Sequence, residues 1–213
     1  NYVVYNFKIM YKNKMQKITI NNSKDLEQAI EMSLAVLEAG GIILYPTDTV
    51  YGLGADIKSK GAVSKIVSIK KRMTDKQMLV IAEDLKMAEE YGVFNDVATK
   101  LAHKFWPGPL TLILPSKTGG TVGVRVPDNE FCLELLRRFG RPIISTSANI
   151  SGEDTESSVD GIILQFSEGA NKIDLTIDQG ILESESSTIV DTTSGNLEVI
   201  REGKIKNIEN FLK

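Results

Sequence analysis

The stretch from Gly40 to Gly54, GGIILYPTDTVYGLG, constrains the fold more than any other part of the chain. Its apolar run Ile42, Ile43, Leu44, Tyr45 stops at Pro46. Thr47, Asp48 and Thr49 follow, with Gly52 and Gly54 beyond Val50 and Tyr51. A short apolar run bounded by glycines and a proline reads as a buried strand. The residues after Pro46 read as a loop that places hydroxyls and a carboxylate at the strand's C-terminal end. In open α/β sheets, ligands bind at that end. An ordinary strand exit through turn-forming residues is the plainer alternative, and this stretch alone does not choose between them.

The rest of the chain alternates between two periodicities. Strands are expected at 16–20, 41–45, 78–82, 110–114, 122–126, 142–146, 172–177, 187–191 and 197–201. The last two are joined by a Ser194-Gly195-Asn196 turn. Helices are expected from the Asn22/Ser23 caps to Gly40, then over 59–72, 85–91, 96–105, 131–139 and 157–166. Trp106-Pro107-Gly108-Pro109 must end the helix before it. Interleaved strands and helices give an α/β class: a single domain whose twisted, mixed parallel/antiparallel sheet is flanked by helices. The expected domain is 16–205, with 1–15 as an N-terminal extension and 206–213 as a C-terminal tail. The polar stretches 151–158 and 183–187 read as mobile surface loops, with 151–158 a candidate lid.

With 213 residues, 42% hydrophobic and 25% charged, the composition is that of a globular protein. Net charge is −3, so affinity for nucleic acid would need a local basic patch. The chain has one cysteine, Cys132, and one histidine, His103. An internal disulfide and a Cys/His zinc cluster are therefore excluded. A His-based catalytic pair is disfavoured, because both residues fall in apolar helical patterns. A cytoplasmic setting fits the single thiol, and no apolar run has the length of a membrane span.

Several residues stand out chemically. Lys70, Lys71 and Arg72 end the 59–72 helix, with Lys76 close behind. They either complement the helix dipole or serve a polyanion such as a triphosphate. Arg125 lies inside an apolar strand, where a charge is costly unless paired or liganded. A salt bridge and a bound carboxylate are both open. Ser145-Thr146-Ser147-Ala148-Asn149 repeats the opening logic of an apolar strand running into hydroxyls and an amide. Ser187, Thr188 and Arg201 add polar groups to late strands. No glycine-rich phosphate loop is present, so a phosphate site would be built from basic side chains and hydroxyls. Asp48 and Asp56 are candidates to help hold magnesium, at an undiagnostic spacing.

Taken together, these segments resemble the YrdC-like threonylcarbamoyl-AMP synthases. The matching stretches, in the family's order, are Tyr45-Pro-Thr-Asp-Thr-Val-Tyr-Gly-Leu-Gly54, Ile69-Lys-Lys-Arg72 with Lys76, Trp106-Pro-Gly-Pro-Leu-Thr111, Val124-Arg-Val-Pro127, Ser145-Thr-Ser-Ala-Asn-Ile-Ser-Gly152, Ser187-Thr-Ile-Val-Asp191 and Arg201-Glu-Gly203. The resemblance implies a twisted α/β sheet with a positively charged concave face. It implies the reaction of ATP, L-threonine and bicarbonate to give L-threonylcarbamoyladenylate, diphosphate and water. Magnesium would accompany the nucleotide, with no resident metal.

The resemblance also assigns residues. Lys70 and Arg72 would be catalytic, holding the triphosphate. Arg72, Lys76, Thr121, Ser147, Asn149, Thr155 and Arg201 would bind ATP. Thr49, Arg125, Ser145 and Ser187 would bind threonine, with Arg125 on its carboxylate. The chain departs from the family pattern at Met73 and Gln77, at Ser184-Glu185-Ser186 before Ser187, and at Glu202. It looks like the short form, handing its product to a separate transferase complex acting on tRNA, with weak RNA binding of its own as a further possibility. The alternatives are an RNA-binding module of the same fold and a sister branch without synthase activity. That branch usually lacks the Ser-Ala-Asn and Lys-x-Arg elements found here. A carbamoyl transferase would carry acylphosphatase and zinc-finger segments that are absent from this sequence.

Overall fold

A computed structural model describes residues 15–71 and 79–212. In chain order they form β1 (Gln16–Thr19), α1 (Ser23–Glu38), β2 (Ile42–Tyr45), β3 (Gly52–Asp56), α2 (Lys60–Ile69), β4 (Leu79–Ile81), α3 (Leu85–Glu89), α4 (Asp96–Phe105), β5 (Leu110–Pro115), β6 (Thr121–Arg125), α5 (Glu130–Phe139), β7 (Ile143–Ser147), α6 (Val159–Phe166), β8 (Leu175–Asp178), β9 (Thr188–Asp191) and β10 (Glu198–Arg201). Short 3₁₀ turns lie at Ser167–Lys172 and Ile208–Leu212. The class is α/β with mixed strand pairing, as the alternating patterns predict. The described residues divide into two compact units, 15–46 with 51–71 and 146–182, and 47–50 with 79–145 and 183–212.

In the first unit, β8 lies between β1 and β2 and is parallel to both, and β2 pairs antiparallel with β3. Strands covered on both faces have no polar side to alternate with, which is why β2 is buried at all four positions. α1 begins where the Asn22 side chain accepts from the amides of Lys24 and Asp25, at 2.9 and 3.1 Å. It buries Ala29, Ile30, Val36 and Leu37. The helix then closes at Gly40, whose φ of +74° suits glycine.

The sequence reading takes the residues after Tyr45 as a loop, but Gly52–Asp56 returns as β3, from Ile42↔Ala55 to Tyr45↔Gly52. Gly52, one of the glycines that suppress a strand reading, has a packing cause. A Cβ on Gly52 would lie 3.2 Å from the Tyr45 ring.

In the second unit, β4 pairs antiparallel with β7 and parallel with β6. β5 pairs antiparallel with β6 and parallel with β9, and β9 with β10 antiparallel. The turn between β9 and β10 has Gly195 at φ +83°, as the Ser-Gly-Asn sequence predicts. α5 starts on Asn129, whose side chain accepts from the Cys132 amide, and stops at Gly140 with φ +68°. It buries Phe131, Cys132, Leu135, Leu136 and Phe139.

Other boundaries shift modestly. α2 ends at Ile69, with Lys70 as its cap rather than part of the helix. α6 starts at Val159, and β8 at Leu175 after a 3₁₀ turn. His103 sits in the last turn of α4 but is exposed, not on an apolar face. Among the described residues no helix is long and apolar enough to cross a membrane.

Tyr51, 1% exposed, donates its hydroxyl to the Gly180 carbonyl at 2.7 Å and accepts from the Gln179 amide at 2.9 Å. Burial, reinforced by the Asp178 charge against the Gln179 bond, pushes its pKa up to about 12 from an ordinary 10. The folded state thus holds this proton more tightly than the unfolded chain. Its stabilisation is complete below pH 10 and is lost as pH rises towards 12. Alkaline titration of stability should show this step in the native protein and lose it in Tyr51→Phe.

A second prediction concerns Thr176 in β8, which is fully buried with a hydroxyl that has no partner among the described residues. Thr176→Val keeps the shape and removes the stranded group. It should raise stability by about 1 kcal/mol, read as a higher urea midpoint at unchanged slope. A lower midpoint would show that the hydroxyl is satisfied.

Candidate functional site

β6 ends at Arg125, which is 5% exposed and paired in register with Ile81. Its guanidinium is held by the chain itself. Nε donates to the Gly108 carbonyl at 3.0 Å, Nη1 to the Thr49 hydroxyl at 2.9 Å, and Nη2 to Asp48 Oδ1 in a buried ion pair. The sequence reading left a salt bridge and a bound carboxylate open for this buried charge and offered Asp48 as a magnesium candidate. The structure supplies the salt bridge, with Asp48 as the counter-charge. Among the described residues, these bonds use three of the five N–H groups and leave one on each terminal nitrogen.

The 47–50 loop has fixed hydroxyl directions. Thr47 donates to the Val50 carbonyl at 2.7 Å, so the 3.0 Å contact between Thr47 and Thr49 must carry the Thr49 proton. Lys204 donates to the Asp48 carbonyl at 3.1 Å. The other Asp48 oxygen, Oδ2, is buried and has no hydrogen-bond partner among the described residues.

The same unit holds Ser187, immediately before β9 and 5% exposed. Its hydroxyl lies 3.0 Å from that of Thr111 on β5. Arg201, an exposed residue at the end of β10, reaches back to the Ser187 carbonyl at 2.8 and 3.2 Å and to its hydroxyl at 3.3 Å. Burial of the guanidinium, then the positive charge of Arg125, hold the Arg201 pKa below its usual value. The two arginines therefore repel, and an anion near both relieves that repulsion. Cys132 is fully buried beneath this region. Burial first, then the charge of Asp48, push its thiol pKa up, so it is not a nucleophile.

In the first unit, Lys70 is 3% exposed, and its ammonium meets the Ser147 carbonyl at 2.5 Å, the Asn149 carbonyl at 2.8 Å and Asn149 Oδ1 at 3.1 Å. Ser147 also donates to Asn149 Oδ1, at 2.6 Å, while Asn149 Nδ2 donates to the Glu153 carbonyl at 2.6 Å. Both ends of the amide agree on its orientation. The structure thus brings Lys70, Ser147 and Asn149 together in one unit, and Thr49, Arg125, Ser187 and Arg201 in the other. Ser145 is buried on β7 in register with Leu79. Thr121 opens β6, half-buried, and Thr155 is exposed. Asp56 accepts from the Lys58 amide at 3.0 Å, closing a turn. Arg72 and Lys76 lie outside the described residues. Among these, no three His, Cys, Asp or Glu side chains group as a metal site.

Sequence reasoning missed Asp48 as a partner for Arg125, and it missed Thr111. Asp48 sits in the very loop singled out by pattern, beside Thr49. That adjacency was the available signal.

Fold and geometry together define an α/β protein with buried cations and oriented hydroxyls, suited to small anionic ligands. Comparison with known proteins sharpens the class. A family model for Sua5, YciO and YrdC, described as "Telomere recombination", matches residues 35–203, and the chain belongs to this family. A Methanocaldococcus jannaschii protein, named as a candidate threonylcarbamoyl-AMP synthase, is 36% identical over 202 residues, covering 91% of this chain and 95% of its own length. A Pyrococcus abyssi threonylcarbamoyl-AMP synthase is 34% identical over 198 residues, 87% of this chain but 57% of that longer protein. Among solved structures, P. abyssi Sua5 complexed with L-threonine superposes with a TM-score of 0.81 at 30% identity, over 92% of this chain and 59% of that one. Escherichia coli YciO gives 0.79 at 30% identity, over 90% and 96%.

The buried pair supplies a prediction. Arg125→Met leaves the Asp48 carboxylate buried without its counter-charge and should cost about 3–5 kcal/mol in urea unfolding. Removing both charges, with Asp48→Leu added, should recover most of that loss. Equal destabilisation by the double variant would show that packing of the arginine stem, not charge, is what was lost.

Proposed function

We propose that this chain is a threonylcarbamoyl-AMP synthase. It joins ATP, L-threonine and bicarbonate into L-threonylcarbamoyladenylate with release of diphosphate and water. The threonine amine takes up carbon dioxide derived from bicarbonate, giving a carbamate and water. A carbamate oxygen then attacks the α-phosphorus of ATP, and diphosphate departs, which is a nucleotidyl transfer. Every reactant carries a negatively charged group, so the protein's task is to position anionic groups and offset charge. That needs no protein nucleophile.

The observation that carries the reading is Arg125, a guanidinium held at a strand end among hydroxyls with N–H groups left over. The relatives' names and the threonine complex of P. abyssi Sua5 support it. In this reading Arg125 takes the threonine carboxylate, and Thr49, Ser145 and Ser187 complete the amino-acid site. Arg72, Lys76, Thr121, Ser147, Asn149, Thr155 and Arg201 hold ATP, which brings its own magnesium. Lys70 and Arg72 stabilise charge at the transferred phosphorus. The three acceptors around the Lys70 ammonium fix that charge in place, and it acts on phosphate through space.

The functional domain in this reading is 16–205. The product is an activated anhydride for threonylcarbamoyladenosine formation. It would pass to a transferase complex acting on tRNA in the cytoplasm.

The test is diphosphate release from ATP. It should require threonine and bicarbonate together, and Arg72→Ala should lower turnover by about 10²–10³-fold. Release that ignores threonine would favour the second reading, a member of this fold without synthase activity.

A further inference from the structure

We infer that Asp48 is the residue that recognises the α-ammonium of the amino-acid substrate, through its Oδ2 oxygen. The inference rests on the reading of Arg125 as the carboxylate site. Asp48 Oδ1 is committed to Arg125 Nη2, while Oδ2 is buried with no partner among the described residues, on a side chain only 10% exposed. A carboxylate oxygen withdrawn from water and left unpaired is costly. Counter-charge alone does not explain it, since Oδ1 already serves that purpose.

The arrangement has a specific chemical complement. The Arg125–Asp48 pair sets a positive group beside a negative one. An α-amino acid zwitterion presents a carboxylate beside an ammonium. Laid antiparallel, the carboxylate meets the two remaining N–H groups of Arg125, and the ammonium meets Oδ2. Each charge of the ligand then faces its opposite. The pair also solves a selectivity problem. A lone arginine accepts any small carboxylate, whereas an arginine already paired with an aspartate repels one that brings no positive charge of its own.

The backbone of Asp48 is held for this purpose from two directions. Its carbonyl accepts from Lys204, and the neighbouring Thr49 is locked by the Thr47 hydroxyl and by Arg125. Two further hydroxyls of this unit, Thr111 and Ser187, lie within hydrogen-bond distance of each other, and Arg201 donates to Ser187. Among the described residues no hydrogen bond reaches Asp48 Oδ2.

The experiment compares binding of L-threonine with binding of 3-hydroxybutyrate, which keeps the carboxylate and the side-chain hydroxyl but lacks the amine. Calorimetry on the full chain reads both. The wild type should bind threonine at least about tenfold more tightly, the scale of one charge-assisted hydrogen bond. Asp48→Asn should weaken threonine about tenfold or more while leaving 3-hydroxybutyrate unchanged or tighter, so that the discrimination disappears. Equal weakening of both ligands overturns the inference and leaves Asp48 as a prop for Arg125. Equal binding of both ligands by the wild type also overturns it, and that comparison decides alone should Asp48→Asn fail to fold. If the wild type binds neither ligand, with ATP present or absent, the amino-acid reading itself falls and this inference falls with it.

Discussion

A guanidinium cannot be taken out of water without replacing what water gave it, and Arg125 shows how this chain does so. Its strand is apolar, and its position in register with Ile81 admits no retreat to solvent. The replacement comes from the loop after Pro46, whose composition now has a physical explanation. Pro46 ends the strand. Thr47 ties the turn by bonding forward to Val50 and receiving the Thr49 amide. Asp48 supplies charge, and Thr49 an acceptor. A loop built this way is stiff, because among the described residues each of its side-chain polar atoms except Asp48 Oδ2 is already committed. Stiffness suits a site that must hold a reactant in one orientation, since the cost of ordering it has been met during folding.

The sequence made the strands and helices readable for ordinary reasons. Asn22, Asn95 and Asn129 mark helix starts, and Gly40 and Gly140 mark helix ends. Parallel strands buried on both faces carry unbroken apolar runs. β3 escaped because Gly-Leu-Gly-Ala-Asp has neither alternation nor β-branched residues. It is a strand through pairing with β2 and close approach to the Tyr45 ring, both properties of the fold. Arg125 was legible as an anomaly, a charge in an apolar run, while its partner was not. Asp48 lies 77 positions away, and periodicity carries no information over that distance. Lys70 repeats the lesson. Its charge at a helix end was plain, but its engagement by Ser147 and Asn149, 77 and 79 positions on, was not. The resemblance grouped these residues by role without saying which touch.

Lys70 and Arg125 are both buried cations, yet they are held in different ways. Arg125 has a full counter-charge and two donors left over. Lys70 meets neutral oxygens at two carbonyls and an amide. Acceptors of that kind satisfy the hydrogen bonds of an ammonium and fix its position. A guanidinium paired with a carboxylate projects little net field and selects by shape and donor geometry. That suits choosing among small carboxylates, which is the role proposed for Arg125 above.

Hydroxyl direction separates the candidate ligand groups further. Thr49 spends its proton on Thr47, and Ser147 spends its own on Asn149. To a ligand, both can offer only a lone pair. Ser187 and Thr111 differ, because their 3.0 Å contact carries one proton in either direction while Arg201 already donates to the Ser187 oxygen. Whichever hydroxyl accepts within the pair keeps a proton to give. An amino-acid substrate brings acceptors on its carboxylate and donors on its ammonium and side-chain hydroxyl. In the proposed reading, fixed acceptors such as Asp48 Oδ2 and Thr49 would match the donors. The reversible Ser187–Thr111 pair, beside Arg201, would be free to turn towards the carboxylate. A site of this kind needs no histidine or thiol, which is why an exposed His103 and a buried, protonated Cys132 are consistent with it.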